Sequence, residues 1–188
     1  MIIRPYNRKD ADDVRYVCLN CDGPSDMSAS TEHFILTTYC DYYIEREPHN
    51  CFVAADDNDK AIGYIICTEN FDTFNDIFVN EYIPRIPAEN EKEIFYASVS
   101  TVLQEKHKAE YPAHFHIDIL PEYHRKGLGH KLVDELCRHL ESAGVKGVML
   151  SVAADNQQGN AFYKKYGFDL VEELPDCLIY GIRFIQGE

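Results

Sequence analysis

A strand, a glycine turn and a helix follow one another in the second half of the sequence, and this succession constrains the fold more than any other feature. Phe115, Ile117 and Ile119 alternate with polar residues between positions 114 and 120. This period of two predicts a strand with one apolar face and one polar face. Pro121 follows directly and predicts the end of the strand.

The helix after this strand begins at a short segment that contains Gly127 and Gly129. Its apolar residues recur at helical spacing and predict one buried stripe, formed by Leu128, Leu132, Val133, Leu136, Cys137 and Leu140. The first amides of a helix lack internal acceptors, and glycines let an anion approach the backbone. Arg125 and Lys126 add cationic side chains. The segment therefore predicts an anion site, although a plain surface turn would carry the same two glycines.

Hydrophobic patterns along the remaining chain predict a mixed α/β sheet. Further strands are predicted at residues 2–5, 51–55, 61–67, 147–153, 168–174 and 177–185. Further helices are predicted at residues 10–20, 31–46 and 156–166, the first of them capped by Asp10. The last strand could lie within the sheet or pair across a dimer, so a monomer and a homodimer both stay open.

The charge of the chain is unbalanced, with 18 Lys and Arg residues against 32 Asp and Glu residues and a formal charge of −14. Clustered cations bind nucleic acids and anionic membranes, so we expect neither as a partner. A negative surface favours a cationic partner, such as an amine or a basic peptide. The longest apolar run is too short to span a bilayer and the first residues show no signal-peptide pattern, so we expect a cytoplasmic protein.

The seven cysteines show no spacing typical of a disulfide framework. Cys18 and Cys21 form a single CxxC pair. A zinc site would need two further ligands at suitable spacing, and the sequence offers none. We therefore expect no bound metal.

A second informative segment runs from Asn156 to Phe168 and reads Asn-Gln-Gln-Gly-Asn-Ala-Phe-Tyr-Lys-Lys-Tyr-Gly-Phe. Tyr163 and Tyr166 are three residues apart, which places them at neighbouring positions on one helical face. Taken alone, this pattern also fits aromatic packing at the end of a helix.

Together, the glycine turn and the Asn156 segment resemble the GNAT acetyltransferase superfamily, over nearly the whole chain outside residues 71–112. The turn of that family usually begins with Arg or Gln, whereas His124 stands here, and Gly127 and Gly129 match the family pattern. The resemblance implies the GNAT fold, a central, mixed and mostly antiparallel sheet of about six or seven strands flanked by helices. Residues 71–112 are then a helical insertion before the fourth strand of a single domain.

The resemblance also implies where acetyl-CoA binds. The backbone of residues 117–119 would pair with the pantetheine amides like an added strand, and residues 125–130 would wrap the pyrophosphate. The implied cofactor contacts are Ile117, Asp118, Ile119, Arg125, Lys126, Gly127, Leu128, Gly129, His130, Asn156, Tyr163 and Tyr166. The imidazole groups of His114, His124 and His130 are expected to be structural or exposed.

A narrower resemblance lies in residues 111–121, which read Tyr-Pro-Ala-His-Phe-His-Ile-Asp-Ile-Leu-Pro after a long insert. This segment is similar to stand-alone acetyltransferases related to the acetyltransferase-like domain of eukaryotic O-GlcNAc hydrolase. The likeness does not name an acceptor.

The family reacts by direct attack in a ternary complex, so no nucleophile of the enzyme is expected. Tyr163 matches the usual general acid of the family. Some members use a Glu as general base where Ser151 stands here, and a serine cannot replace it at neutral pH. Asp118 and His116, on the polar face of the strand, are the remaining candidates, beside a water chain to solvent.

The sequence therefore predicts an N-acetyltransferase that moves the acetyl group of acetyl-CoA to a primary amine. Ser151 leaves an alternative open, a non-catalytic acetyltransferase-like module that binds acyl-CoA. The acceptor is either a small molecule or a protein amine. Selectivity is expected in the loop at residues 22–30 and in residues 71–112, because loops on a rigid scaffold usually carry it.

Overall fold

One sheet organises the chain in the computed structural model, which describes residues 1–23, 26–87 and 90–184, apart from the side chains at 99 and 100. The strands are β1 (Ile2–Pro5), β2 (Cys51–Ala55), β3 (Ala61–Thr68), β4 (Ala113–Ile119), β5 (Gly147–Ala153), β6 (Asp169–Glu173) and β7 (Cys177–Arg183). The helices of this described part are α1 (Ala11–Asn20), α2 (Ala29–Leu36), α3 (Tyr42–Arg46), α4 (Phe71–Ile77), α5 (Glu91–Glu105), α6 (Leu128–Ser142) and α7 (Gln157–Tyr166).

The order of the seven strands is β1-β2-β3-β4-β5-β7-β6. Every neighbouring pair is antiparallel except β4 and β5, which run parallel. The predicted mixed and mostly antiparallel sheet is therefore confirmed. The last strand, β7, lies inside the sheet between β5 and β6, which is one of the two placements that its sequence allowed.

Helices cover both faces of this sheet. The first four helices bury aromatic and aliphatic side chains against one face, among them Val14, Tyr42, Tyr43 and Phe74. Helices α6 and α7 cover the other face, where the stripe of α6 is buried as its period predicts. Cys137, at the margin of that stripe, is only partly buried. Residues 71–112, expected to form a helical insertion, contain α4 and α5.

The start of α1 differs from the prediction, because the side chain of Asp10 does not cap it. The carboxylate of Asp10 instead accepts hydrogen bonds from the guanidinium of Arg4, at 2.7 and 2.8 Å, and from the backbone N–H of Asn7, at 2.8 Å. Asn7 caps a short 3₁₀ turn that precedes the helix. A buried carboxylate gains more from a guanidinium than from one further amide, so the ion pair with Arg4 decides its orientation.

Candidate active site

The parallel strands β4 and β5 separate soon after they meet. They pair only at Ala113 with Val148 and at His114 with Met149. Beyond this point β5 continues along β7 as far as Ala153. The edge of β4 that faces away from β3 has no partner strand from residue 115 to 119 among the described residues. The sheet therefore opens into a V-shaped gap.

The direction of the β4 backbone groups follows from one hydrogen bond. The N–H of Leu120 donates to the carbonyl of Ile62 at 3.0 Å, on the side of β3. Successive peptide groups of a strand point to opposite sides, so the N–H groups of Ile117 and Ile119 point into the gap. An extended ligand with amide groups could continue the sheet at this edge.

A cavity of about 520 Å³ occupies the gap. Its walls come from the end of β4, from β5, from the glycine turn and from α7. Most of the predicted cofactor residues line it, namely Ile117, Asp118, Ile119, Arg125, Gly127, Leu128, Gly129, His130, Asn156 and Tyr163. Lys126 and Tyr166 are not among the lining residues. The ammonium of Lys126 lies 4.7 Å from the ring centre of Tyr123, at the edge of the turn.

The glycine turn presents a row of free amides to this cavity. Arg125 and Gly127 both have left-handed backbone conformations, with φ of 59° and 77°. The six successive N–H groups of residues 125–130 have no acceptor among the described residues. Such a concave run of N–H groups at the start of a helix binds anions, and the partial positive charge of the helix end adds to the attraction. The backbone geometry of the turn, and not only its glycines, is therefore suited to an anion.

His124 explains how the turn tolerates a residue other than Arg or Gln at its first position. Its imidazole donates the Nε2–H to the carbonyl oxygen of Ile119 at 2.7 Å. This bond ties the start of the turn to the end of β4. The role of the side chain is therefore structural, as expected, and the backbone beyond it is left free.

Gly127 lends itself to a matched test with Gly144, at the opposite end of α6. The two φ angles are +77° and +76°, and a Cβ at either position would meet no atom within 4 Å. Alanine at each should lower the free energy of unfolding by about 1 kcal/mol, because both backbones are left-handed. Only Gly127→Ala should also weaken acetyl-CoA binding, by roughly tenfold, since Gly127 lines the cavity and Gly144 does not. Thermal unfolding and calorimetry measure the two effects, and equal affinities in both variants would contradict the site.

Helix α7 supplies one wall of the cavity, and Asn156 begins it. The N–H of Gly159 donates to Asn156 Oδ1 at 2.8 Å, so Asn156 caps the helix. Close to α7, Gly129 lets α6 approach, since a Cβ there would lie 3.3 Å from the ring of Phe162. The amide nitrogen of Asn156 has no acceptor among the described residues and remains available to a ligand.

Two substitutions separate the capping role of Asn156 from a contact with the donor. Asn156→Ala should lower the free energy of unfolding by about 1 kcal/mol, because the cap is lost. Asn156→Asp should restore that stability, since a carboxylate also caps, but not the acetyl-CoA affinity, since it cannot donate. Unfolding curves and calorimetry on the same samples measure both. Full recovery of affinity in Asn156→Asp would restrict Asn156 to the helix cap.

Tyr163 lies at the centre of the site, and only 8% of its surface is exposed. Its ring packs against Phe115, Phe168 and Tyr180. Burial raises the pKa of Tyr163, and the nearby carboxylate of Asp118 raises that pKa further. The hydroxyl therefore keeps its proton and has no hydrogen-bond partner among the described residues. The Tyr163 hydroxyl is therefore a hydrogen-bond donor at the cavity and has no acceptor among the described residues.

The side chain of Tyr166 lies outside the cavity and connects α7 to α6. Its hydroxyl donates to Asp134 Oδ1 on α6 at 2.7 Å. Its ring centre lies 5.6 Å from that of His130, also on α6. The structure therefore places Tyr166 behind the amide turn and not in contact with the cavity.

Asp118 reaches the cavity from the polar face of β4. Tyr64, on β3, donates its hydroxyl proton to Asp118 Oδ2, and the Cys21 thiol, which donates to the carbonyl of Cys18 at 3.7 Å, lies near the same carboxyl group. Burial raises the pKa of Asp118, and these two neighbours partly oppose that rise. The structure thus brings a carboxyl group of increased basicity to the same cavity as Tyr163.

His116 lies on the same face of β4 but does not line the cavity. It is enclosed by Tyr39 and Tyr43, with ring centres 5.5 and 5.2 Å away. The Tyr43 hydroxyl lies 3.1 Å from His116 Nε2 and 2.9 Å from His114 Nε2, so it can donate to one ring and accept from the other. Burial lowers the pKa of His116 to about 4, which makes it a neutral part of the core at neutral pH.

Sequence reasoning did not find Tyr64, and it weighed Cys21 only as a metal ligand. Both affect Asp118, and Tyr64, which is 54 positions away in sequence, reaches it only through strand pairing. Ser151, at the position where some relatives carry a Glu, is exposed on β5. Within the described ranges, no group of three or more His, Cys, Asp or Glu residues is arranged to hold a metal ion.

The seven-stranded sheet that opens beside an amide-rich turn defines the class of protein as an acetyltransferase of the GNAT type. The sequence model of the acetyltransferase (GNAT) family matches residues 19–168, and the chain belongs to this family. In the described part of the chain, no helix is long and apolar enough to cross a membrane.

Known proteins of similar sequence and fold agree with this assignment. The [ribosomal protein bS18]-alanine N-acetyltransferase of Escherichia coli K12 is 40% identical over 55 residues, which are 29% of this chain and 37% of that protein. The curated relatives are matched over only 23% to 37% of their own length.

Solved structures extend the likeness to the whole fold. A protein called SsHAT has a TM-score of 0.86 at 24% identity, with 97% of both chains covered. The PaiA N-acetyltransferase of Thermoplasma acidophilum, solved in complex with coenzyme A, has a TM-score of 0.61 at 15% identity, with 97% of this chain and 98% of that chain covered. At these identities the likeness concerns the fold alone.

Proposed function

We propose that this protein transfers the acetyl group of acetyl-CoA to a primary amine, by direct attack with both substrates bound. The observation that supports this most is the open edge of β4 beside the free amides of residues 125–130. The open edge of β4 offers backbone hydrogen bonds like those of a neighbouring strand. The adjacent turn offers free amides that can bind an anion. Acetyl-CoA combines these features, since its pantetheine amides and its pyrophosphate lie along one molecule.

The residues present fit such a donor. The backbone of residues 117–119 would hold the pantetheine arm, and the amide turn would hold the pyrophosphate. Arg125 and Lys165 line the cavity and add positive charge. When bound, acetyl-CoA supplies a thioester carbonyl that an amine can attack. The N–H of Ile119 points into the gap and is suited to stabilise a developing oxyanion.

Tyr163 is the proposed general acid. Because burial raises its pKa, its hydroxyl stays protonated at neutral pH and can donate to a departing thiolate. No other acceptor competes for this proton among the described residues.

Asp118 is the proposed general base, in preference to His116. An alkylamine is mostly protonated at neutral pH and must lose a proton before it attacks. Asp118 lines the cavity, and burial raises the pKa of its carboxyl group, so its carboxylate form is a stronger base than that of an exposed aspartate. His116 lies against Tyr43, and its lowered pKa makes it a weak base. Asp22, which also lines the cavity, adds negative charge and favours a cationic acceptor.

The proposal is tested by calorimetry with acetyl-CoA, followed by acceptor-dependent release of CoA measured by chromatography. The acceptor panel contains polyamines, amino sugars, amino acids and basic peptides, and one peptide begins with alanine because the Escherichia coli relative acts on an alanine. Turnover with any of these amines supports the enzyme. Tight binding without turnover on any acceptor supports a non-catalytic acyl-CoA-binding module. Absence of binding contradicts both.

A further inference from the structure

Tyr64 and Asp118 face one another across two adjacent strands. They are direct partners in the antiparallel register of β3 and β4, so their side chains project from the same face of the sheet. The Tyr64 hydroxyl donates its proton to Asp118 Oδ2. The partners are 54 positions apart in the sequence, and the register alone brings them together.

The packing of the core around Tyr64 holds its side chain in this position. None of its surface is exposed, and its ring is part of the core between the sheet and α1 to α4. A hydroxyl anchored in this way fixes one carboxylate oxygen of Asp118. Because Asp118 also lines the cavity, its carboxyl group is held in one orientation at the cavity wall. Precise placement of a reacting group depends on such rigid support.

We infer that Tyr64 is a positioning residue for acyl transfer, which orients the Asp118 carboxyl group toward the incoming amine and stabilises its carboxylate form through the hydrogen bond. The inference rests on the proposed function, in which Asp118 takes the proton of the amine. Tyr64 itself touches neither substrate, since it does not line the cavity. Its effect is exerted entirely through Asp118.

The charges around Asp118 show why such support matters. Burial and the negative charge of Asp22 raise the pKa of Asp118, whereas the hydrogen bond from Tyr64 and the neighbouring Cys21 and His124 side chains lower it. The groups that face the carboxyl from neighbouring elements are Tyr64 of β3, Cys21 and Asp22 after α1, His124 of the turn and Tyr163 of α7. Tyr64, which donates its hydroxyl proton to this carboxyl group, is fully buried. Without the hydrogen bond from Tyr64, the pKa of Asp118 would be higher. The carboxyl group would then stay protonated up to a higher pH and could not accept the proton of the amine.

Tyr64→Phe tests this inference, because it removes the hydroxyl and keeps the buried ring. The matched control is Tyr82→Phe, which removes another fully buried tyrosine hydroxyl, one that donates to Glu45 at 2.8 Å away from the cavity. Protein labelled with ¹³C at aspartate carboxyl groups is titrated by NMR, and the Asp118→Asn variant identifies the resonance. No acceptor is needed for this measurement.

We expect the pKa of Asp118 to be higher in Tyr64→Phe than in the wild type by roughly one unit, as for loss of one hydrogen bond to a charged group. It should not change in Tyr82→Phe. With an amine that the panel identifies, the acid limb of kcat should move to higher pH by the same amount, because the base must be unprotonated. An unchanged Asp118 pKa in Tyr64→Phe overturns the inference.

The same experiment separates this inference from the proposed function. If the pKa of Asp118 moves but Asp118→Asn turns over at the wild-type rate, Asp118 is not the base and the proposed mechanism fails. If Asp118→Asn is inactive but the pKa does not move, the mechanism stands and the role of Tyr64 is wrong.

Discussion

Replacement of Tyr163 by phenylalanine is expected to lower kcat by roughly 100-fold or more, which is the usual contribution of a general acid. The ring contacts with Phe115 and Phe168 remain in this variant, so the fold and the walls of the cavity should persist. The affinity for acetyl-CoA should stay within about twofold, since the proposed donor contacts are mostly backbone groups of β4 and the turn. Steady-state kinetics and calorimetry measure the two quantities.

Tyr180 offers a matched control for this loss. Its hydroxyl is also buried and has no hydrogen-bond partner among the described residues, and its ring centre lies 5.8 Å from that of Tyr163. Tyr180→Phe should leave kcat close to the wild-type value, because that hydroxyl does not face the cavity. A kcat in Tyr163→Phe that equals the kcat of this control would remove Tyr163 from the mechanism.

Substitution of Asp118 by asparagine is expected to lower kcat at neutral pH by roughly 10² to 10⁴-fold. Asparagine has nearly the same shape, and its amide oxygen can still accept from Tyr64. It cannot take a proton from the amine. Activity should partly return as the pH approaches the pKa of the acceptor, since more of the amine is then unprotonated in solution.

The pH dependence of the wild type follows from the sign of the Asp118 shift. A base is active when unprotonated, so kcat falls as the pH decreases through its pKa. Burial raises the pKa of Asp118, which places this fall above the pH expected for an ordinary aspartate, about 3.9. Asp118→Asn should lack this limb. A limb that persists in Asp118→Asn would point to another base, and His116→Gln would then be the variant to measure.

Most secondary structure was predictable because its signals are local. The strand β5 has the bounds that its apolar run predicts, and the stripe of α6 follows the helical period. The bounds of β4 and α7 differ from the prediction by about one residue, as is common where caps and turns compete. The capping of α1 was wrong because Asp10 binds Arg4, a partner on β1 that no helix rule includes.

The environment of the polar face of β4 could not be predicted from the local sequence. Alternation predicts two faces but does not say which of them meets solvent. Here both are covered, and the face of His114, His116 and Asp118 lies against α1 to α4. One end of this face is closed by Tyr43 and the other opens to the cavity, so His116 and Asp118 have different chemistry although they are two residues apart.

The sequence by itself determined the amide turn, the helix stripe behind it and the spacing of Asn156 and Tyr163, because each depends on residues close together in the chain. Only the tertiary structure decided the gap between β4 and β5, the pairing of Tyr64 with Asp118 and the exclusion of His116 from the cavity. These depend on strand register and on removal of water, which arise from contacts between distant segments. For that reason the glycine turn before α6 was predictable from the sequence, whereas the proposal of Asp118 over His116 as the base required the fold.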